Sequence, residues 1–392
     1  MANSIEYAKL FQTKLDEQLL QEMTTGWMEA NAGMVQYNGG SEIKVPKMTL
    51  QGLGDYNRDS GYSSGAVTMT YETHTFDKDR SKKFRLDRMD VDETNFVVNA
   101  GSVMAEFQRA YVAPEVDAYR YSKIFSIANA NLKTSAYTPV VGTILGKLED
   151  DISTVQNLIG ESVPLVVCMS FAAANTLDQA DKIEKRLDVS EFSSGAVSMK
   201  VRSLDGIPII RVSSDRFKSA YTFGSTGYTA TATAMNLNWI IVAKTAPIGI
   251  VKTDMPKIIE PSVNQDADAW DVAMRKYHTL IMPDNQIKSV WVSYTSINAP
   301  ALTLTFAAGT GTGNTKTTVT PSATGNTFAY SKTTSAVTGV QFNAIPTGLT
   351  AYTSGADIAV TASDYVNMYE LDSVGHVVKF VSHVMVSGEI SK

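Results

Sequence analysis

The sequence predicts an α+β body followed by a separate all-β sandwich. Three observations predict it. Segments of helical and of strand periodicity are mixed over about the first 295 residues. After Pro300 the composition turns to Thr, Ser, Ala and Gly and nearly loses its charge. A long hairpin with a polar tip, residues 43–76, has no neighbouring segment with which to build a core, and isolated hairpins are marginal in water.

The elements follow in order. Residues 5–28 read as an amphipathic helix, with Tyr7, Leu10, Phe11, Leu15, Leu19 and Met23 on one face. Gly26, Gly33 and Gly39-Gly40 then break the pattern. Two readings stand for this arm: it packs on a neighbouring copy, or on its own domain. In the hairpin, Ile43, Val45 and Met48-Thr49-Leu50 form one limb, and Val67, Met69, Tyr71 and Thr73 alternate along the other. Gly52, Gly54, Asp55, Asn57, Asp59, Ser60 and Gly61 crowd its tip, with Tyr56, Arg58 and Tyr62 among them. Such a ribbon needs a surface to lie on.

A charged run follows, Asp77-Lys78-Asp79-Arg80-Ser81-Lys82-Lys83-Phe84-Arg85-Leu86-Asp87-Arg88. It reads either as a solvated strand, of small energetic worth, or as a mixed-sign patch that meets its counterpart on an identical neighbour. Its acids argue against a simple DNA-binding stripe. Asp92 caps a predicted helix whose apolar face is Phe96, Ala100, Val103, Met104, Phe107 and Tyr111. Pro114 is expected to end or kink it and to push Ala113 out of the helical region. A second helix is expected over 114–129.

Residues 143–158 read as a helix and 163–169 as a buried strand. Ser170 is placed to cap a helix over 171–187. Strands are expected at 196–202, 207–212, 239–243, 246–252 and 270–282, the last with Trp270, Val272, Met274, His278, Leu280 and Met282 on one face. Residues 296–300 read as a linker. In the tail, short strands are expected at 302–306, 317–320, 357–361, 365–371 and 376–381, with a turn at 372–375, the pattern of a small sandwich. The repeated Ser-Ser-Gly-Ala-Val at 63–67 and 193–197 is shared turn chemistry and not a repeat architecture.

Composition narrows the function classes. At 392 residues and 44% hydrophobic, the chain has material for more than one core. A net charge of -6 is not that of a protein whose whole surface grips nucleic acid, although a local basic face stays open. With Cys168 as the single cysteine no intrachain disulfide forms, which fits a reducing cytoplasm. The start Met1-Ala2-Asn3-Ser4-Ile5-Glu6 carries no basic stretch with an apolar run behind it, so no secretion signal is expected. No apolar run is long enough to span a bilayer, and no membrane partner is expected.

The chemistry-bearing patterns fail on inspection. His74, His278, His376 and His383 have no metal-ligand spacing, and on one continuous strand residues 376 and 383 face opposite sides. The acidic stretch 264–269 misses a calcium loop, with Ala269 at the glycine position and Arg275 at the bidentate glutamate position. Gly309-Thr310-Gly311-Thr312-Gly313 has no following helix, and Gly146-Lys147 is followed by Leu148, so neither is a phosphate loop. There is no Gly-x-Ser-x-Gly elbow. The expectation is therefore no enzyme, no catalytic residue, no cofactor and no metal.

A resemblance enters at residues 79–90, Asp-Arg-Ser-Lys-Lys-Phe-Arg-Leu-Asp-Arg-Met-Asp, then at Asp92-Glu93-Thr94 and at Ala113-Pro114-Glu115-Val116-Asp117-Ala118-Tyr119-Arg120. It continues more weakly through 205–210 and through Asp268-Ala269-Trp270 with Arg275, Tyr277 and His278, covering roughly residues 1–292. These residues resemble major capsid proteins of tailed bacteriophages, of the Hong Kong 97 type. The resemblance implies an N-terminal arm (1–42), an extended loop (43–76), a peripheral domain (77–135 and 244–295) with a spine helix, and an axial domain (136–243). The tail, 299–392, falls outside that fold and resembles the immunoglobulin-like domains of phage structural proteins, displayed outside the shell.

Further implications follow from the resemblance. Copies of the chain are expected to assemble as hexamers and pentamers into an icosahedral head, in the cytoplasm of a bacterial host, around double-stranded DNA held without sequence specificity. Portal and scaffolding proteins are the other expected partners, the scaffold being a separate protein where there is one. The expected inter-subunit residues are Arg80, Lys82, Lys83, Arg85, Asp87, Arg88 and Asp90, with Asp55, Tyr56, Arg58 and Tyr62 at the hairpin tip. The lysine–asparagine crosslink of some members, with its assisting glutamate, has no match here and is not carried over. The alternatives are an encapsulin-like shell around protein cargo, and a surface adhesin acting through the β tail.

Overall fold

The computed structural model describes residues 23–34, 42–59, 61–89, 100–180, 187–194 and 197–392. They form two compact units. The first holds the described residues up to Ser135 with 139–230 and 236–294; the second holds 295–392 with the short stretches 136–138 and 231–235. The whole is mixed α+β, with many sheets and few helices.

The first unit opens on a 3-10 helix, Gly26–Met34, where the end of an α-helix was expected. The reason is local. The backbone N–H groups of Thr24 and Thr25 donate to the Asp117 carboxylate, both at 3.0 Å, and not along a helix. The remainder of that expectation, residues 5–22, lies outside the described residues. Strands β1 (Glu42–Leu50) and β2 (Val67–Thr75) then pair antiparallel as a two-stranded sheet of their own.

Strand β3 (Lys78–Asp87) carries the charged run. Helix α1 (Ala100–Phe107) passes through a π-helical turn, Gln108–Val112, directly into α2 (Ala113–Ala130). The expected break at Pro114 does not occur, and Ala113 keeps helical angles, φ -62 and ψ -47. The wide turn accounts for this: the Ala113 N–H reaches back to the Gln108 carbonyl, so Pro114 stands in the first turn of a restarted helix, where its missing N–H costs nothing. The Asp92 cap lies outside the described residues.

Strand β4 (Thr134–Ala136) and helix α3 (Ile144–Ile159) lead to β5 (Leu165–Ser170), buried along its whole length. Ser170 caps α4 (Phe171–Asp178) as expected, its hydroxyl accepting from the Ala173 N–H at 3.2 Å. The helix ends sooner than the expected residue 187. Leu187 instead opens β6 (Leu187–Ser194), pairing across from Leu204 of β7 (Val197–Leu204), and a sheet partner outweighs helical propensity there. Asp205 and Gly206, at φ 50 and 82, turn β7 into β8 (Ile207–Val212), the left-handed pair that a two-residue hairpin needs.

The unit closes with β9 (Tyr221–Gly224), β10 (Gly227–Ala230), β11 (Leu237–Ala243), β12 (Ile248–Ile259), β13 (Ala269–Ile281) and β14 (Val290–Tyr294). One sheet runs β4-β14-β11-β5-β8-β7-β6, with β5 and β8 parallel. Its central strands β5 and β11 are apolar throughout because both faces are covered. A second sheet, β12-β13-β3, leaves β3 at its edge. The inner face of β13, with Val272, Met274 and His278 buried, matches the expected stripe.

The second unit folds β15 (Phe306–Ala308), β16 (Asn314–Thr317), β17 (Thr327–Thr333), β18 (Thr350–Tyr352), β19 (Ile358–Ala359), β20 (Tyr365–Leu371) and β21 (Val377–Val384) into two sheets, β15-β16-β19 and β18-β17-β20-β21. Phe306, Phe328, Tyr352, Ile358, Val366 and Met368 meet in one core. Strand β20 has the expected bounds. The expected strands at 302–306 and 317–320 are displaced to 306–308 and 314–317, while β17 and β18 were not anticipated. The glycine-rich loop is explained by Asp357, whose carboxylate accepts from the Thr310 and Gly311 N–H groups at 2.9 and 3.0 Å. A Cβ on Gly309 would stand 2.7 Å from that of Asn314.

Candidate inter-subunit surface

Among the described residues the hairpin is anchored only at its base. There Ile43 is fully buried with Phe76, Ile248, Ile250 and Ile281, and Val45 packs alongside. One step further out, Lys47 bridges Asp284 at 2.8 Å and Glu72 at 3.7 Å. Beyond those pairs the large side chains leave the body. Met48 is 59% exposed, Leu50 62%, Val67 67%, Met69 59% and Tyr71 61%.

Register makes these five a surface. Met48 lies opposite Met69, Leu50 opposite Val67, and Pro46 opposite Tyr71. Directly opposed residues of an antiparallel pair share a face, as do residues two apart on one strand. Over the outer part of the ribbon one side is therefore Pro46, Met48, Leu50, Val67, Met69 and Tyr71, apolar apart from the Tyr71 hydroxyl; nearer the base the same side carries Lys44 and Thr73. The other side carries Lys47, Thr49, Thr68 and Thr70. At the tip, Tyr56 and Tyr62 meet edge to face at 5.4 Å, Asn57 and Gly61 exchange backbone hydrogen bonds, and Leu53 is fully exposed. Asp55 and Arg58 are also exposed there. Contiguous exposed apolar surface of this kind marks an interaction site.

The charged run is largely answered inside the chain. Arg85 stands directly opposite Asp271 of β13 and donates to it twice, at 2.9 and 3.2 Å, and Lys83, one pair along, reaches the same carboxylate at 2.6 Å. Arg85 first, and Lys83 with it, hold the Asp271 carboxyl well below the usual carboxylate range. Asp79 pairs with Arg275 in the same way, at 2.6 and 2.9 Å. On the inner face, Arg80 grips Glu115 of α2 through two hydrogen bonds and donates to the Gly224 carbonyl at 2.8 Å. Lys82 donates to the Ser225 carbonyl, the Asp87 carboxylate accepts from the Met89 N–H, and Arg88 stands 3.9 Å from Asp268. Asp90 lies outside the described residues.

The expected interface residues thus fall into two groups. Arg80, Lys82, Lys83, Arg85, Asp87 and Arg88 share the edge of the β12-β13-β3 sheet; Asp55, Tyr56, Arg58 and Tyr62 share the hairpin tip. Sequence reasoning did not single out Asp271, whose role depends on strand register. It named Asp117 and Arg120 only within the run 113–120 and gave neither a role. Asp117 is fully buried and accepts from Thr24, Thr25 and Arg216. Buried Arg120 pairs with Glu29 at 2.5 Å. Together they fasten residues 23–34 to α2, so for this stretch the arm packs on its own domain.

His376 meets Asp372 and His383 meets Glu389, each at 3.0 Å. Burial, with Arg120, Lys276 and Lys78 nearby, holds His278 well below its ordinary range. Burial pushes the Cys168 thiol up to about 12, away from the reactive thiolate. Among the described residues no group of three or more His, Cys, Asp or Glu side chains is placed to hold a metal ion. No helix among them is long and apolar enough to cross a membrane.

Comparison with known proteins adds the following. Residues 307–388 match the family described as S-layer protein SbsC C-terminal domain. No curated protein matches the chain. Among solved structures, the chain is similar to one from Mycobacterium phage Che8, with 13% identity over 67% of this chain and 90% of that one, at a TM-score of 0.42. It is similar to the mature capsid of bacteriophage PhiM1, with 12% identity over 66% and 83% and a TM-score of 0.47. Domains 7, 8 and 9 of the S-layer protein SbsC share 22% identity over 29% of this chain and 37% of that one, at a TM-score of 0.23.

Proposed function

We propose that this chain is a shell-building subunit, the major capsid protein of a tailed-phage head. One observation carries the reading: among the described residues the ribbon is held to the body only at its base, and its outer part presents an apolar face with none of the described residues upon it. Covering that face costs the chain nothing in its own core and calls for a partner surface. A subunit that recurs in many copies supplies one. The residues of 79–120 that resemble phage capsid proteins support the same reading.

On this reading copies close as hexamers and pentamers around double-stranded DNA, with portal and scaffolding proteins as further partners. The second unit is an immunoglobulin-like domain on the outer face. Electron microscopy of the protein, expressed with and without a scaffold, is the test. Closed shells are expected, and only monomers under every condition would refute the reading. Nucleic acid recovered from native particles separates a phage head from a shell around protein cargo. A second reading, cell-surface binding by the second unit, is favoured by the match of residues 307–388; glycan-array binding by the full chain checks it.

A further inference from the structure

A cavity of about 320 Å³ opens in the first unit between β3, the π-helical turn, β13 and the β9–β10 hairpin. Its size falls at the lower end of pockets that enclose a ligand, roughly 300–1,000 Å³, and suits a compound of about two fused rings. Phe84, Phe107, Tyr111, Val112 and Met274 wall it. The aromatic part of that wall is continuous: Phe84 meets Phe107 edge to face at 4.9 Å, and Phe107 stacks on Tyr111 at 5.9 Å. Such a wall favours a flat ring, which stacks offset or edge-on against it.

Two polar features of the lining point to the ligand. The first is deep. His278 of β13 lines the cavity at 3% exposure, and its Nδ1 atom is buried without a hydrogen-bond partner among the described residues. Buried polar atoms are nearly always paired, so this ring calls for a partner. Burial keeps it neutral, with one nitrogen able to accept a hydrogen bond. The second is at the mouth. The charges among the described lining residues are Arg80, Lys82 and Lys276 against Glu115. Glu115 answers Arg80, and Asp254 answers buried Lys276 at 2.6 Å. Exposed Lys82 donates to the Ser225 carbonyl at 3.2 Å and meets no carboxylate among the described residues. Its charge is left for an anion.

We propose that this cavity binds a small aromatic acid that carries a hydroxyl at the end remote from its carboxylate. The ring lies against Phe107 and Tyr111, the carboxylate accepts from Lys82 Nζ at the mouth, and the hydroxyl donates to the His278 ring at the floor. The site goes beyond shell building and does not depend on it. A bound ring ties β3 and the β9–β10 hairpin to the turn that joins α1 to α2.

Calorimetric titration of the full chain tests it, with three probes: naphthoate, the hydroxynaphthoate whose two groups stand at opposite ends of the ring pair, and uncharged naphthalenemethanol. Naphthoate is expected to bind about tenfold more tightly than the alcohol, the worth of one charge-assisted hydrogen bond, and the hydroxyl to add about fivefold more. Lys82→Gln, at an exposed position, is expected to erase the preference for acid over alcohol and to leave the alcohol's affinity unchanged. Val112→Trp, which fills the cavity, is expected to abolish binding of all three, with an unchanged thermal transition as the check on its fold. No binding by any probe would overturn the proposal. So would equal affinities for acid and alcohol, a preference that survives in Lys82→Gln, or binding that survives in Val112→Trp. A hydroxynaphthoate bound no more tightly than naphthoate would overturn the part given to His278.

Discussion

The apolar face of the hairpin is best tested at its central pair, Met48 opposite Met69, by the double replacement Met48→Lys with Met69→Glu. Fully burying a large apolar side chain stabilises by roughly 1.5–3 kcal/mol. The five exposed side chains retain 59–67% of their surface, so covering each is worth about 1–2 kcal/mol and the whole face about 5–9 kcal/mol per hairpin. The replacement removes two of the five and leaves two charges to desolvate, so about 2–4 kcal/mol or more of that contact is lost. The hairpin itself is preserved, because opposite charges directly across a strand pair contribute roughly 0.2–1 kcal/mol. The expected result is a soluble chain with an unchanged circular dichroism spectrum, a Tm within about 2 °C of the parent and no closed particles by negative-stain microscopy. Particles at parental yield would refute the reasoning. A Tm lowered by more than about 5 °C would also refute it, by showing that the face belongs to the subunit's own core.

Three further outcomes follow from the same geometry. Asp117→Ala strips the buried acceptor from Thr24, Thr25 and Arg216 and is expected to destabilise the first unit by about 3–5 kcal/mol in urea unfolding, whereas a loss below about 1 kcal/mol would contradict the clamp. Buried His278 stays neutral in the folded chain, so below about pH 6.5 the unfolded chain takes up a proton that the folded one refuses. Stability should therefore fall by up to about 1.4 kcal/mol per pH unit between pH 6 and 5, and His278→Gln should flatten that slope; parallel slopes would exclude the role. Gly309→Ala places a methyl group 2.8 Å from Asp357 Oδ1 and 2.7 Å from Asn314 Cβ, and a cost of about 1–3 kcal/mol should appear as an earlier calorimetric transition of the second unit. An unshifted transition would show that the loop relaxes freely.

Asp271 gives a fourth, at acid pH. Its folded-state carboxyl is held below the unfolded range near 3.9, so the stabilisation from Arg85 and Lys83 is complete above that range and is lost as pH falls through it toward the folded value. Asp271→Asn should therefore weaken the β3–β13 edge at pH 7 and lose less on acidification to pH 3 than the parent. Hydrogen exchange of the Phe84 and Arg85 amides at the two pH values is the measurement, and identical pH dependence in both proteins would count against the pairing.

Local pattern carried much of the architecture. The alternation along 67–75, the apolar run at 165–170 and the period of 144–159 each needed only the side chains of one segment, because amphipathic spacing is set by backbone geometry. Ser170 was legible as a cap for the same reason, its partner lying three residues away. Pro114 was not: a wide turn absorbs it, and that turn depends on what α1 and α2 pack against. Nor was the strand that starts at Leu187, whose partner lies seventeen residues further on.

The chain by itself therefore determined which segments are amphipathic, that the hairpin exists with a polar tip, and that the last hundred or so residues form a β unit, since all of these are properties of near neighbours. Only the tertiary structure decided which charges are spent internally. Arg85 and Asp271 lie 186 residues apart, and Arg80 reaches Glu115 on another element, so no spacing rule identifies either pair. Register also decided that Met48, Leu50, Val67, Met69 and Tyr71 fall on one face, because a slip of a single residue would have scattered them over both.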